Sequence, residues 1–185
     1  MKTEPTPTLD GQIARAFITQ ARALLSQDYL PRIERCLTTL DERDVWWRAG
    51  VESNSIGNLL LHLAGNARQW IVSGVGGAAD VRARDSEFAA TDKDGLTKAE
   101  LLAHLRATLN EVDNVLARLD TATLLDARTI QNCGGVTILE AIFHVVEHFS
   151  MHTGQIILLT KLHTARDLAL YNFTGGIPRK TWETE

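Results

Sequence analysis

Three histidines occupy positions where the sequence predicts the apolar interior of helices. His62 lies within the segment 58–64 (NLLLHLA), and His148 and His152 stand four residues apart in a later segment. Histidines four residues apart on a helix lie one turn above each other on the same face, so both rings can reach one ion. With a third imidazole from another helix they would form a three-histidine metal site that keeps a coordination position for water or substrate.

Both predicted helices carry a polar stripe at helical spacing. The stripe in the earlier helix consists of Ser55, Asn58, His62, Asn66, Gln69 and Ser73. The stripe in the later helix consists of His144, His148, His152 and Gln155. A polar stripe is usually a solvated face, and for the earlier helix this interpretation is as good as the metal one. A solvated face normally carries Lys, Glu and Arg rather than histidines, so the later stripe favours metal binding.

Further polar residues lie within about one turn of the three histidines. They are Asn58, Asn66, Glu147 and Gln155. A metal-ligating imidazole usually donates its other N–H to an oxygen atom. We therefore expect at least one of these four side chains within hydrogen-bond distance of a ligand ring or of the open position. The alternative is that they pack elsewhere or face solvent.

His144 and Glu147 are the candidates for residues with a role in catalysis. His144 lies one turn before His148 and could support a ligand, contact a substrate or simply face solvent. Glu147 is a candidate general base, although it lies about 100° around the helix from His148. The string HFSMH lacks the glutamate of an H-E-x-x-H metalloprotease, which argues against a peptidase of that class.

Length and charge limit the classes of protein. At 185 residues the chain fits one domain that can bury a core without disulfides or structural metals. A net charge of -4, a pI near 5.9 and scattered basic residues argue against nucleic-acid binding. The apolar runs are well short of the roughly 20 residues that a membrane span needs.

Cysteine usage points to a reducing compartment. Cys36 and Cys133 form no CxxC motif and no metal-ligand spacing, and each is expected to be a buried small hydrophobic residue. The N-terminal sequence does not resemble a signal peptide. We therefore expect a cytoplasmic protein.

The sequence predicts an all-α fold with four long helices and no strand ladder. A first helix starts at Thr8 or Asp10 and runs to about residue 40, with a kink or restart at Pro31. A second spans about 55–72, and T-x-x-E capping boxes at Thr97 and Thr137 open the third and fourth, the last running to about His163. These features predict a four-helix bundle with a long crossover between helices two and three. Residues 1–185 form one domain, with the bundle core at about 10–165 and a C-terminal tail at 166–185 that partly packs back.

The chain resembles the DinB/YfiT-like metalloprotein superfamily of four-helix bundles. The resemblance rests on residues 54–66 (NSIGNLLLHLAGN), 144–148 (HVVEH) and 152–156 (HTGQI), and spans roughly residues 10–172. Residues 82–88 (RARDSEF) and the Asp-Leu pair before Tyr171 are similar to one subgroup whose biochemical role is undefined.

The resemblance implies that His62, His148 and His152 bind one divalent cation, commonly zinc or nickel. It also implies the crossover between helices two and three, and a homodimer. Relatives in the superfamily include thiol transferases that use low-molecular-weight thiols such as bacillithiol, a mycothiol-dependent isomerase and predicted metal-dependent hydrolases.

Three functions stay open at this point. A cation with an open position favours a thiolate over a thiol, which suits a transferase that uses a small thiol as nucleophile. A hydrolase would place a water there and would also need a positioned base, for which Glu147 is the candidate. The third alternative is a non-catalytic metal-binding bundle.

Aromatic residues suggest where a homodimer could form. Trp46 and Trp47, together with Trp70 and Ile71, are expected to offer apolar area at the surface. The alternative is that the C-terminal tail with Trp182 covers these rings within one chain.

Overall fold

Four long helices form the predicted all-α bundle. The computed structural model describes residues 8–183. Its helices are α1 (Leu9–Ala23), α2 (Leu30–Thr39), α3 (Ile56–Ala67), α4 (Arg84–Ala89), α5 (Lys98–Ala117) and α6 (Ile138–Thr164). A π-helical segment joins α1 to α2, and a second one extends α3 as far as Val75. The short α4 lies in the long connection between the second and third long helices, where the crossover was expected.

The first long helix passes through Pro31 without a break. Thr8 caps α1 by accepting a hydrogen bond from the Gly11 N–H, at 3.3 Å. Residues Leu24–Tyr29 then form the π-helical segment, and Pro31 follows as the second residue of α2. In a continuous helix a proline removes one backbone hydrogen bond and its ring clashes with the preceding turn, and the π-helical segment lies at that turn. The expected irregularity therefore takes the form of a widened turn before the proline.

Both predicted capping boxes are present. Thr97 Oγ1 accepts the Glu100 N–H at 3.2 Å, and the Glu100 carboxylate accepts the Thr97 N–H at 2.9 Å. Thr137 and Glu140 repeat this arrangement at the start of α6, with distances of 3.2 and 2.8 Å. The α6 helix ends at Thr164, within one residue of the prediction, and these starts set which residues of α5 and α6 face the core.

The expectation of no strands was wrong in detail, because the chain forms two short hairpins. Strands β1 (Ala127–Ile130) and β2 (Cys133–Thr137) pair antiparallel, as do β3 (Tyr171–Asn172) and β4 (Arg179–Lys180). Gln131 and Asn132 turn the first hairpin with φ of 52° and 64°. Asparagine tolerates such values, but strands of two to five residues are too short to show an alternating pattern.

The second long helix is the most central element. It packs against α5, α6 and α4, and α6 also packs against α2. In α3 the polar residues Asn58, His62 and Asn66 are as buried as the leucines between them. The polar stripe on this helix is therefore internal, and its solvated-face interpretation was wrong. No described helix is both long enough and apolar enough to span a bilayer.

The tryptophans expected at the surface pack inward instead. The Trp46 ring covers Gly57 on α3 so closely that a Cβ there would lie 2.7 Å from it. Ile71 is completely buried, and the Trp70 ring stacks on His144. Trp46, Trp47 and Trp70 are half-buried and offer less apolar surface than expected, and the homodimer itself stays a prediction.

The C-terminal tail packs back on the bundle, but at another place. The indole N–H of Trp182 donates to the Gln27 carbonyl at 3.0 Å. The Arg32 guanidinium faces the rings of both Tyr171 and Trp182, at 5.6 and 5.8 Å from their centroids. The expectation that this tail covers Trp46, Trp47 or Trp70 was therefore also wrong.

Candidate metal centre

The start of α3 ties this helix to the crossover. Ser55 caps it, and Asn58 closes the capping box with its side chain. The Asn58 amide also donates to the carbonyls of Glu87 and Ala90, both at 2.9 Å. Asn58 therefore fixes the chain around α4 against α3, rather than contacting a histidine ring.

Three imidazoles meet between α3 and α6, as the spacing of the histidines predicted. His62 comes from α3, and His148 and His152 from consecutive turns of α6. One ring nitrogen from each lies within 4.8 Å of the others, and the Nε2 atoms of His62 and His148 are 2.9 Å apart. Two imidazoles bound to one zinc ion at 2.0–2.1 Å place their nitrogens about 3.3 Å apart. The donor separations therefore bracket the spacing in a three-histidine metal site, since the closest pair lies somewhat nearer and the widest separation is at most 4.8 Å.

The donor atoms of the cluster are withdrawn from water. His62 and His152 are only 5% and 8% exposed, whereas His148 is half-buried. The Nε2 atom of His152 is buried and has no hydrogen-bond partner in the described chain. A buried nitrogen without a partner costs about 1–3 kcal/mol. A cation held by the three nitrogens would remove that cost, so the donor set fits a metal ion.

A carboxylate from the crossover orients the first ring. Glu87 Oε2 lies 2.9 Å from His62 Nδ1. Arg82 reaches the same carboxylate with Nε and one terminal nitrogen, at 2.7 and 2.8 Å, and that nitrogen is also 3.0 Å from His62 Nδ1. Because the carboxylate is the acceptor of this trio, the proton belongs on Nδ1 of His62. The lone pair on Nε2 is then free to bind a cation.

Gly65 makes the approach of this carboxylate possible. The glycine lies one turn after His62 on α3, and a Cβ at this position would overlap the Glu87 carboxylate. Any side chain there would push Glu87 away from His62. The sequence places a glycine inside a buried helix, where it is unfavourable by about 1 kcal/mol relative to alanine, and the carboxylate explains its presence.

A glutamine orients another ring of the cluster. Gln155 Oε1 lies 2.6 Å from His152 Nδ1 and accepts its N–H. The Nε2 lone pair of His152 consequently points into the cluster, as the Nε2 lone pair of His62 does. Gln155 is the member of the four polar residues that lies within hydrogen-bond distance of one of the three rings.

The other polar residues lie beside the cluster or outside it. The Asn66 amide donates to His144 Nε2 at 3.2 Å. The His144 ring stacks between Trp70 and His148, with centroid distances of 4.0 and 5.4 Å. Glu147 is exposed and lies about 100° around α6 from His148. His144 is thus a neighbour of the site, and Glu147 points away from it.

Burial keeps the imidazoles of His148 and His152 in their neutral, ligating form. Burial lowers the pKa of His148 to about 3, with a further contribution from His152 and His62 beside it. Burial also lowers the pKa of His152 and of His144. For Glu87 burial acts in the opposite sense, but the hydrogen bonds from Arg82 and His62 outweigh it and lower the pKa of the carboxyl. At neutral pH the site therefore contains neutral His148 and His152 rings and an ionised Glu87 carboxylate.

Sequence reasoning missed Arg82 and Glu87. Residues 82–88 were noticed only for their similarity to one subgroup, and no role followed for any single residue. The crossover has no helical period that could link it to a ring on α3. The presence of Gly65 one turn after His62 was the available signal that another group approaches the helix there.

A cavity of about 620 Å³ lies on the outer side of the Arg82–Glu87 pair. Leu61 and Gly65 of α3 line one wall, and the crossover lines the other. Its lining includes Arg82 and Glu87 but none of the three clustered histidines. The cavity therefore reaches the group that orients His62 without reaching the donor nitrogens.

Comparison with known families finds a match over most of the chain. No curated protein matches it. The model of a family described as "Protein of unknown function (DUF1572)" matches residues 12–176, a range that includes the three histidines and both residues of the Arg82–Glu87 pair. The chain belongs to the DUF1572 family.

Proposed function

We propose that the chain holds one divalent cation, zinc or nickel, through His62, His148 and His152, and is a transferase that uses a small thiol as nucleophile. The observation that carries the metal part is the buried, unpartnered Nε2 atom of His152, which faces two other imidazoles. Imidazole donors suit zinc, nickel or copper better than magnesium or calcium.

Family relationships support the same proposal. The DUF1572 family is grouped with the DinB/YfiT-like proteins. The resemblance to that superfamily implies a divalent metal on these three histidines and a thiol-dependent reaction in several relatives. Both cysteines of this chain are free thiols, which suits the reducing cytoplasm proposed here. Cys36 is buried as expected, whereas the expectation that Cys133 is buried was wrong, because it lies exposed at the start of β2.

The chain's own residues would bind the cation and shape its surroundings. A bound divalent cation would lower the pKa of a thiol or a water at its open position. Glu87 and Gln155 hold two of the rings with their Nε2 atoms turned inward. The Phe88 ring, whose centroid is 4.7 Å from that of His62, shields one side of the cluster from water.

The placement of the carboxylates favours thiol transfer over hydrolysis. Hydrolysis needs a base that can take a proton from water near the donor nitrogens. Glu147 faces solvent away from the cluster, and Glu87 is already bound by Arg82 and by the Nδ1 edge of His62. A thiol needs no such base, because its proton is lost to solvent once the thiolate is stabilised.

The test is a screen of the chelator-stripped and reloaded protein. Zinc- and nickel-loaded samples are incubated with glutathione, cysteine, coenzyme A or bacillithiol and a panel of carbon electrophiles, and separately with esters and amides. We expect conjugation that depends on metal and thiol, is lost in His152→Ala and is retained in His104→Ala. His104 is an exposed histidine of α5 and serves as the matched control.

Each alternative has its own outcome in this screen. Ester or amide hydrolysis with the same dependence on metal and His152 would establish the hydrolase and reject the transferase. Stoichiometric metal binding without turnover of any substrate would favour a non-catalytic metal-binding bundle. Failure of the protein to bind either metal would reject the whole proposal.

A further inference from the structure

A second cavity lies near the start of α3, between the loop that precedes this helix and the crossover. Its volume is about 360 Å³, within the range of sites that bind small molecules. Its walls come from residues 43–48 of the loop, residues 90–92 of the crossover and His163 at the end of α6. None of the three clustered histidines lines it, so it is separate from the candidate metal centre.

The Arg48 side chain in this cavity is a half-buried cation without a counter-charge. Its guanidinium donates to the Ser53 carbonyl at 3.3 Å, to Asn58 Oδ1 at 2.9 Å and to the Phe88 carbonyl at 3.4 Å. All three acceptors are neutral, and no carboxylate within residues 8–183 forms a salt bridge with it. Charges withdrawn from water are normally paired. The contacts therefore hold a guanidinium in place while its charge stays available to a ligand.

Other charged side chains of both signs line the same cavity. Arg43 on the loop and Asp92 on the crossover are exposed, and in the described part of the chain neither side chain forms a salt bridge or hydrogen bond. The Asp44 carboxylate differs, because it accepts the Asp41 N–H at 2.9 Å and lies 2.9 Å from His163 Nε2. The cavity therefore offers a ligand two guanidinium groups and one carboxylate.

Two half-buried indole rings supply the apolar part of the cavity wall. Trp46 is fixed from behind, since its ring covers Gly57 so closely that a Cβ there would lie 2.7 Å away. The Trp47 ring lies 4.8 Å from the His163 ring, measured between centroids. Indole rings present large rigid faces to apolar and aromatic groups. The expected ligand therefore combines charged groups with an aromatic ring.

We propose that this cavity binds a small zwitterion with the chemistry of a free aromatic amino acid. Arg48 and Arg43 hold the carboxylate, because a guanidinium matches a carboxylate in charge and in hydrogen-bond geometry. Asp92 accepts the ammonium group, and the indoles contact the ring. A ligand with one charge alone would leave either the guanidinium groups or the Asp92 carboxylate without a partner. This binding site goes beyond the proposed metal-dependent reaction, since it uses none of the metal ligands.

Isothermal titration calorimetry of the full chain with three related probes tests the proposal. L-phenylalanine carries both charges, N-acetyl-L-phenylalanine lacks the ammonium group and L-phenylalaninamide lacks the carboxylate. We expect L-phenylalanine to bind with one molecule per chain and each derivative to bind about tenfold or more weakly, because each loses a charged hydrogen-bonded contact. Failure of L-phenylalanine to bind, or equal affinity for all three probes, would overturn the proposal.

Two variants that remove charge without changing size test the side chains directly. Arg43→Gln and Asp92→Asn should each weaken binding of L-phenylalanine by about tenfold. Asp92→Asn should also abolish the preference for L-phenylalanine over its N-acetyl derivative. Neither side chain has a bond to the rest of the described chain, so the thermal stability should be unchanged in both variants. Arg15→Gln, at an exposed arginine of α1 outside the cavity, is the matched control and should bind normally.

The result of this experiment is independent of the metal centre. Chelator-stripped and metal-loaded protein should bind L-phenylalanine with the same affinity, because the cavity does not include the metal ligands. A protein that binds no metal but binds L-phenylalanine would reject the proposed function and retain this site. Unchanged affinity in both Arg43→Gln and Asp92→Asn would show that the probe binds elsewhere and would overturn the assignment of the cavity.

Discussion

The inner and outer faces of α6 reverse the distribution of side chains that a helix on a protein surface usually shows. The inner face presents His148 and His152 to the interior, whereas the outer face presents Phe143, Met151 and Leu158 to solvent. Imidazoles are costly to bury without partners, and large apolar groups are costly to expose. The inner face therefore fits the cation proposed above, whereas the outer face carries single exposed apolar groups of a kind that folded proteins commonly show.

The two faces of α6 differ in how precisely their side chains are held in position. On the inner side Glu87 and Gln155 hold rings from two helices, and Gly65 makes room for the Glu87 carboxylate. On the outer side the exposed apolar side chains come from α6 alone. A metal ion needs donors fixed to within tenths of an ångström, and only the inner side shows such positioning.

Removing two of the three histidine ligands should have the largest effect on metal binding. Three imidazoles would hold about one divalent ion per chain. The double variant His148→Ala/His152→Ala should lose nearly all of this metal. Elemental analysis after chelation and reloading measures this, with His104→Ala as the control. Stoichiometric metal in the double variant would show that the ion binds elsewhere.

Two phenylalanines on α6 allow the contributions of its two faces to the free energy of unfolding to be compared. Phe149 is completely buried and Phe143 is 57% exposed. Phe149→Ala should lower the free energy of unfolding by about 3–5 kcal/mol, because it leaves a cavity in the core. Phe143→Ala should change it by less than about 0.5 kcal/mol when measured by urea unfolding at a concentration that keeps the chain monomeric. Similar losses in both variants would contradict the assignment of the two faces.

Adding a methyl group at Gly65 tests whether the Glu87 carboxylate supports metal binding. Gly65→Ala leaves the three histidines in place but displaces Glu87 from His62. Loss of such a contact to a ligand usually weakens metal binding by about 10- to 100-fold. Competition with a chromogenic chelator measures the affinity, and Glu87→Gln should weaken it in the same direction.

Gly11→Ala is the matched control for this prediction. An added Cβ there would meet Thr8 Oγ1 at an ordinary 3.4 Å. Alanine favours helix in both variants, so weaker metal binding in Gly65→Ala alone cannot reflect a weaker helix. Unchanged metal affinity in both Gly65→Ala and Glu87→Gln would show that the carboxylate does not support the site.

The pH dependence of the metal-free protein should be the smallest of these effects. Because burial lowers the pKa of His148 to about 3, the unfolded chain takes up a proton at higher pH than the folded one. The contribution of the neutral His148 ring to stability is complete above the ordinary imidazole pKa of about 6.5. It is lost as the pH falls from there toward 3. The loss should be on the order of 2 kcal/mol, since His148 is half-buried and solvent screening reduces the effect.

Urea titrations between pH 7 and 4 check this prediction. His148→Ala removes the titrating ring and should flatten the curve. A stability that is constant over this range in the metal-free wild type would contradict neutral, buried imidazoles in the cluster.

Much of this architecture could be predicted because its signals are local. The capping residues Thr97 and Thr137 satisfy backbone N–H groups within three residues, so the sequence alone defines where α5 and α6 begin. The spacing of His148 and His152 follows from the helical repeat, which places both rings on one side whatever the rest of the fold does.

Other features depended on contacts between distant parts of the chain. Whether the polar stripe of α3 meets solvent depends on α6 and the crossover, and the packing of Trp46 depends on Gly57 across a loop. The pairing of Glu87 with His62 joins residues 25 positions apart, with an intervening segment that has no period. No local pattern encodes such contacts.

The sequence by itself determined the helices, their starts and the ring pair on α6, because hydrogen bonds within a few residues and the helical repeat decide these features. Only the tertiary structure decided that His62 completes the cluster, that Arg82 and Glu87 orient it, and that Glu147 faces away. These outcomes depend on how helices pack and where the crossover lies, and packing selects among faces that a single helix leaves equivalent.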